Sequence, residues 1–236
     1  MNIIECTDLT KEYISGENIV KAVDGISTSF KQGEFCAVTG PSGSGKSTFL
    51  HLLSSLEDPT NGYVVYGDSK LSDYNDNQLS ILRRRRFGFV FQAYNLVNEL
   101  TGYENILLPV MLDKKKPDKE YIEKIIKILG IEDRLGHLPS ALSGGQQQRI
   151  AIARALANKP SVLFADEPTG NLDGKSGKEV LSLLKYAADE FGITLILVTH
   201  DLHVAEQADR IITVEDGKIV NDTALRNNSN GEQVSE

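Results

Sequence analysis

The sequence predicts an α/β fold, a mostly parallel sheet accompanied by an antiparallel β subdomain and an inserted helical subdomain. Three observations carry that reading. Gly40-Pro41-Ser42-Gly43-Ser44-Gly45-Lys46-Ser47-Thr48 satisfies G-x-x-x-x-G-K-[S/T] between a short β-type run and an apolar helical run. Residues 161–165 and 193–199 are continuous apolar runs, the pattern of parallel strands buried on both faces. From about 93 to 160 the pattern turns helical, which reads as an insertion. Loop, helix and β-α-β order together give a P-loop NTPase core.

In chain order, residues 3–10, 20–23 and 26–30 read as short strands divided by Gly16 and by Asp24-Gly25, an antiparallel layer ahead of the core. Residues 34–39 form a buried strand, and after the phosphate loop Phe49, Leu50, Leu52 and Leu53 supply a helical face. Pro59-Thr60-Asn61-Gly62 is a turn, followed by strands at 63–66 and 87–91. Tyr121, Ile122, Ile125, Ile126, Ile128 and Leu129 mark one helix of the insertion, and a helix at about 174–191 joins the two buried strands. Strands at 211–214 and 218–220 flank Glu215-Asp216-Gly217, a hairpin turn. Residues 1–220 are expected to form one domain, with its helical subdomain at about 93–160. Residues 221–236 are expected to be a frayed polar tail.

A net charge of -8 argues against nucleic acid as a partner, because phosphate-backbone binding needs clustered Lys and Arg. The one dense basic run, Arg83 to Arg86, reads as a solvated face, and Lys114 to Lys116 as an exposed loop. Cys6 and Cys36 lie in apolar runs and read as buried small hydrophobes in a reducing compartment. The first residues lack the basic start and apolar stretch of a signal peptide. No apolar run approaches the ~20 residues that span a bilayer, so a membrane role is expected to come through a partner.

The chemistry follows from residue types at their spacing. Gly40, Gly43 and Gly45 permit a tight loop whose N–H groups turn inward on a polyphosphate at the positive end of a helix. Lys46 reaches the β- and γ-phosphates, Ser47 offers a hydroxyl to Mg²⁺, and Thr48 adds a phosphate hydrogen bond. Asp166-Glu167 ends a buried strand, where open α/β sheets bind ligands. Asp166 fits a Mg²⁺ ligand acting through water, and Glu167 fits the base that polarises the attacking water. Read alone, the pair has a solvated acidic strand end as its lesser alternative. Leu142-Ser143-Gly144-Gly145-Gln146 opens an apolar helix with two glycines, which is either an ordinary capped helix or a second anion site.

Taken with the phosphate loop, that pentapeptide resembles the signature of the ATP-binding-cassette ATPases, and the resemblance spans about residues 3–220. It implies ATP and Mg²⁺ as cofactors and a head-to-tail dimer of two copies. In that dimer Ser143, Gly144, Gly145 and Gln146 of one copy close on the γ-phosphate held by the other. It further implies that Tyr13 stacks on adenine and that Gln92 reaches Mg²⁺ and the water. Asn171-Leu172-Asp173 would cross the dimer interface, and His200 would contact the γ-phosphate, although by itself His200 reads as a strand-end histidine. Two dipeptides depart in a minor way from the common pattern. Gly170-Asn171 stand where many members have Ser-Ala, and Gln147-Gln148 stand where others carry a charge.

Local similarity around Tyr13, Gln92 and residues 168–173 points to the macrolide-efflux, lipoprotein-release and antimicrobial-peptide-resistance subgroup. That implies an ATPase on the inner face of the cell membrane, attached through an integral-membrane permease; Tyr94, Leu96 and Leu100 are candidates for the groove that seats its helix, and each reads equally as core. The expected function is powering an exporter or a transmembrane mechanotransmission complex. The alternatives are a regulator of an extracellular enzyme, a soluble cassette ATPase, or a P-loop kinase or monomeric switch.

Overall fold

The computed structural model describes residues 1–16 and 18–225. The chain opens with β1 (Asn2–Ser15) and β2 (Asn18–Lys31), a long antiparallel pair. Here the structure corrects the three short strands expected from the sequence. Asp24-Gly25 does not end a strand, because two β2 residues are taken up between the pairs Leu9↔Ile26 and Lys11↔Val23. Gly25, at φ +72°, supports that bulge without steric cost. β3 (Phe35–Thr39) then enters the second sheet, and the phosphate loop feeds α1 (Lys46–Leu53). β4 (Asn61–Tyr66) and β5 (Ser69–Lys70) return to the first sheet, whose order is β2-β1-β4-β5.

α2 (Asp76–Arg86) leads directly into β6 (Phe87–Phe91), and α3 (Gly102–Leu112), α4 (Lys119–Leu129) and α5 (Gly144–Leu156) follow. Each helix starts where a short polar side chain satisfies an N-terminal N–H: Asn75, Thr101, Asp118 and Ser143 accept from the third helical residue. β7 (Val162–Asp166), α6 (Gly174–Phe191), β8 (Thr194–Val198), the single turn α7 (Leu202–Ala205), β9 (Arg210–Glu215) and β10 (Lys218–Ala224) complete the core. β10 extends the hairpin four residues into the stretch expected to be a tail. The remainder of that stretch from 226 on lies outside the described residues.

The second sheet runs β10-β9-β3-β8-β7-β6 and is parallel except for β10. Side chains alternate across it, and the two faces build two cores. Phe35, Ala37, Leu163, Ala165, Leu195 and Leu197 pack toward α3 to α6. Cys36, Val38, Val162, Phe164, Ile196 and Val198 pack toward α1 and the antiparallel sheet. Both faces being covered is why these strands read as unbroken apolar runs. The register then fixes the site: Phe91 pairs with Asp166, Asp166 with Val198, and Val198 with Val38, so four strands end level at one edge.

The basic run is in part the solvated face expected of it, with Arg85 and Arg86 exposed, but Arg83 and Arg84 are half-buried. Arg83 donates to the Ser55 carbonyl at 2.7 Å, while Arg84, Arg85 and Lys115 converge on Asp113, whose side chain is 1% exposed. A carboxylate so withdrawn from water requires cationic partners, and adjacent arginines on α2 supply them. Lys115 above all, with Arg85, holds the Asp113 carboxyl down to about 2. Asp113→Asn is expected to cost about 1–2 kcal/mol in a urea melt at neutral pH, because the three cations stay part-exposed and recover water. A depressed carboxyl contributes stability above its ordinary value and loses it on acidification. The difference between wild type and Asp113→Asn should therefore vanish as pH falls from 3.8 toward about 2.

Candidate active site

Steric necessity shapes the phosphate loop. Gly40 has φ +141°, and a Cβ there would lie 2.0 Å from the Val214 carbonyl oxygen. Gly45 has φ +99°, and its Cβ would meet the Ala22 oxygen at 1.9 Å. Only glycine fits positions this close to neighbouring backbone. Ser44 is buried and its carbonyl accepts from Gly217 N–H at 3.0 Å, so the β9-β10 turn braces the loop, while Pro41, Ser42 and Gly43 stay exposed. Lys46 folds back over it, donating to the Pro41 carbonyl at 2.6 Å and to Ser44 Oγ at 3.5 Å. Burial pushes its amine below the ordinary lysine value, against the pull of Glu167 and Asp166.

Ser47 Oγ donates to Asp166 Oδ1 at 2.9 Å, joining the start of α1 to the end of β7. Thr48, the next residue of α1, is half-buried. Glu167 follows at φ +46°, its N–H held by the Val198 carbonyl at 3.0 Å and its carboxylate 2.8 Å from His200 Nδ1. With Nδ1–H donated to Glu167, the imidazole keeps Nε2 for a second partner. Gln92, one residue past β6, bonds reciprocally with Asn171: Nε2 donates to Asn171 Oδ1 at 3.2 Å, and Asn171 Nδ2 donates to the Gln92 carbonyl at 2.9 Å. Lys46, Ser47, Asp166, Glu167 and His200 thus form one linked cluster at the sheet edge, with Gln92 beside it in register.

Tyr13, on β1, is 40% exposed, its hydroxyl donating to Glu57 Oε2 at 2.6 Å and interacting with the Thr48 side chain. Glu57 in turn meets His51 Nδ1 at 3.3 Å, and His51 Nε2 is 4.0 Å from Asp166 Oδ2. His51 was missed in the sequence, although it stands four residues after Ser47 on α1 and therefore shares its face.

The signature segment faces elsewhere. Ser143 caps α5 reciprocally with Gln146: Ser143 Oγ accepts from Gln146 N–H at 3.4 Å, and Gln146 Oε1 accepts from Ser143 N–H at 2.9 Å. Ser143, Gly145 and Gln146 line a cavity with Arg134, Arg149, Ser176 and Glu179, in which no phosphate-loop residue takes part. Gly144 instead abuts Tyr94, whose hydroxyl a Cβ there would approach to 2.7 Å. Asp173 spends its carboxylate on the N–H groups of Lys175 and Ser176 at the head of α6, and the Ser176 contact holds it below the carboxylate range.

Gln148, noted in the sequence only as a departure from the common pattern, is fully buried. Its Nε2 donates to the carbonyls of Phe91 at 3.3 Å and Pro168 at 2.6 Å, tying α5 to the ends of β6 and β7.

The ABC transporter family model matches residues 23–170, a stretch that contains the phosphate loop, the signature and Asp166-Glu167. The chain belongs to the ABC transporter family. An uncharacterized ABC transporter ATP-binding protein of Methanocaldococcus jannaschii is 47% identical over 222 residues, 92% of this chain and 98% of that protein. The dimeric ATP-binding cassette MJ0796, in a post-hydrolysis state bound to ADP and Pi, superposes with TM-score 0.87 at 41% identity, covering 95% of this chain and all of that one. The macrolide export ATP-binding/permease protein MacB of Vibrio parahaemolyticus is 44% identical over 94% of this chain, which spans 34% of MacB. The fold is that of an ABC cassette, and the chain is an ABC-type ATPase. Among the described residues no helix is long and apolar enough to cross a membrane.

Proposed function

We propose that two copies of this cassette close head to tail on two MgATP, each site built from the phosphate loop of one and the signature of the other, and that closure drives a membrane-embedded permease. The observation that carries the reading is the separation described above. Every group suited to the γ-phosphate except the signature gathers at one sheet edge, while Ser143 to Gln146 open on a different cavity. The dimeric MJ0796 structures, at 41–42% identity, support the same reading.

Within each site Lys46 neutralises the β- and γ-phosphates, leaving the Pro41 carbonyl for them, and Thr48 adds a phosphate hydrogen bond. Ser47 Oγ, the Asp166 carboxylate and the Gln92 amide oxygen form a hard oxygen set that suits Mg²⁺. Among the described residues no three His, Cys, Asp or Glu side chains cluster as a self-contained metal site, and these oxygen donors would hold the cation together with a bound nucleotide. The cation supplies charge neutralisation on the β- and γ-phosphates. Glu167 accepts a proton from the attacking water, and His200, oriented through Nδ1, offers its other nitrogen to the γ-phosphate. Tyr13 stacks on the adenine, and Asn171 to Asp173 line the seam between copies.

The permease seat is the apolar groove lined by Phe89, Phe91, Leu108 and Leu112 and rimmed by Arg84 and Arg154. The candidates Tyr94, Leu96 and Leu100 do not line it: Leu96 packs on the core, and Tyr94 contributes its carbonyl to Arg154. The neighbouring positions 94 and 95 take positive φ, which turns the chain from β6 over the groove. Docking there holds the cassette at the inner face of the membrane, and the likeness to MacB favours export as the coupled work.

Affinity purification of the tagged chain from membranes of its own cells is the test. An integral-membrane protein with a large extracytoplasmic domain should co-purify, and Leu108→Asp should release it while ATP turnover of the free chain stays the same. Retention of no membrane protein, or retention undisturbed by Leu108→Asp, would remove the permease role from this groove.

A further inference from the structure

We propose that Asn171, seated beside Gly170, is a positioning residue that orients the Gln92 amide so that its oxygen, rather than its nitrogen, is presented to the nucleotide cation. The proposal rests on Gln92 being a cation ligand, as given above. These two positions are the departure from the Ser-Ala pattern noted in the sequence, and their bearing on Gln92 is distinct from the seam role given to Asn171 above.

The orientation follows from the two hydrogen bonds. Asn171 Nδ2 lies 2.9 Å from the Gln92 main-chain oxygen, and a peptide carbonyl only accepts. The nitrogen of the Asn171 amide is committed to that contact, leaving Oδ1 as the atom 3.2 Å from the Gln92 side chain. An acceptor there takes an N–H, so Gln92 must offer Nε2 to Asn171 and turn Oε1 the other way. A primary amide carries one oxygen and one NH₂, and Mg²⁺ takes oxygen ligands only. Rotating the Gln92 amide by half a turn would face NH₂ toward the cation. Asn171 prevents that rotation because it anchors its own amide on the backbone of the residue whose side chain it orients. The main chain of Gln92 is placed beside Asp166 by the Phe91↔Asp166 pairing, so the released oxygen belongs to the same end of the sheet as the other cation ligands.

Gly170 makes the room. A Cβ at 170 would lie 2.8 Å from Gln92 Nε2, 3.1 Å from Cδ and 3.3 Å from Cγ. A serine there would displace the Gln92 side chain, and an alanine at 171 would have neither donor nor acceptor for it. Both departures from the common pattern therefore act on one side chain. Gln92 and Asn171 are both exposed, so the pairing is not a device of core packing and can be removed without opening a cavity.

The experiment uses Mn²⁺ in place of Mg²⁺ on the full chain carrying Glu167→Gln and saturated with ATP, with free Mn²⁺ read by electron paramagnetic resonance. Gln92→Ala, Asn171→Ala and Gly170→Ser should each weaken Mn²⁺ retention by about three- to tenfold, the worth of one or two neutral hydrogen bonds. Adding Asn171→Ala to Gln92→Ala should change nothing further, because Asn171 acts only through Gln92. Wild-type retention in Asn171→Ala, or an Asn171→Ala effect that persists undiminished on Gln92→Ala, would overturn the proposal. If Gln92→Ala itself retains Mn²⁺ like wild type, the ligand role of Gln92 fails and the proposal fails with it. If Gln92→Ala weakens retention while Asn171→Ala does not, the ligand role stands and only the positioning role is lost. Gly170→Ser leaves Asn171 intact, so it tests the same displacement by a second route.

Discussion

Glu167→Gln is expected to lower ATP turnover by about two to four orders of magnitude while leaving ATP binding intact, the range that loss of a positioned general base produces. The substitution keeps the length and shape of the side chain, and an amide can still bond His200 Nδ1, so the site should hold its geometry. What is lost is the carboxylate proposed to take the proton as water attacks phosphorus. The phosphate-binding groups lie on Gly40 to Thr48, braced through Ser44 and Gly217, and are untouched by the change. The chain should therefore bind ATP, close and fail to reopen, since reopening needs the γ-phosphate cleaved. Size-exclusion chromatography with ATP should show a stable dimer for Glu167→Gln and a predominantly monomeric wild type. Hydrolysis by Glu167→Gln at the wild-type rate would take the base role away from this carboxylate.

The second large effect is complementation between two inactive chains. Lys46→Ala removes the cation over the phosphates, and Ser143→Arg blocks the helix N-terminus opposite them. Each variant alone should lose turnover by about a hundredfold or more. If the site is shared, a mixed dimer holds one doubly damaged site and one intact site, the latter made from Lys46 of one copy and Ser143 of the other. Random pairing of equal amounts puts half the chains in mixed dimers, so turnover should recover to about a quarter of wild type. Activity no higher than the mean of the two parents would mean that each chain completes its own site. The structure sets the expectation, because within one chain the signature shares its cavity with α5 and α6 residues and not with the phosphate loop.

Much of the core was legible because its signals are local. The phosphate loop is marked by glycines, two of which, Gly40 and Gly45, have close contacts that admit nothing else, and the strands buried on both faces read as unbroken apolar runs. Helix α6 was read at its observed bounds, since a capping Asp173 opens it and Gly192, at φ +63°, closes it. The misreadings lie where a distant partner decides. Asp24-Gly25 looks like a strand break, and only the β1 partner turns it into a bulge. Four consecutive arginines look like a solvated face until Asp113, remote in sequence, draws two of them inward. Leu96 reads equally as groove or as core, and the fold decides for the core.

The sequence by itself determined the α/β class, the nucleotide motifs and the order in which they arrive, because glycine conformation, side-chain period and capping act over a few residues. Only the tertiary structure decided which of those motifs meet. The level ends of β3, β6, β7 and β8 set Ser47 against Asp166 and Glu167 against His200, and the fold turns Ser143 into another cavity. It also decided that Gly170 and Asn171, two small departures from a familiar pattern, bear on the single side chain of Gln92. Strand register and loop packing bring together residues about 80 positions apart, and no local property of a chain encodes that distance.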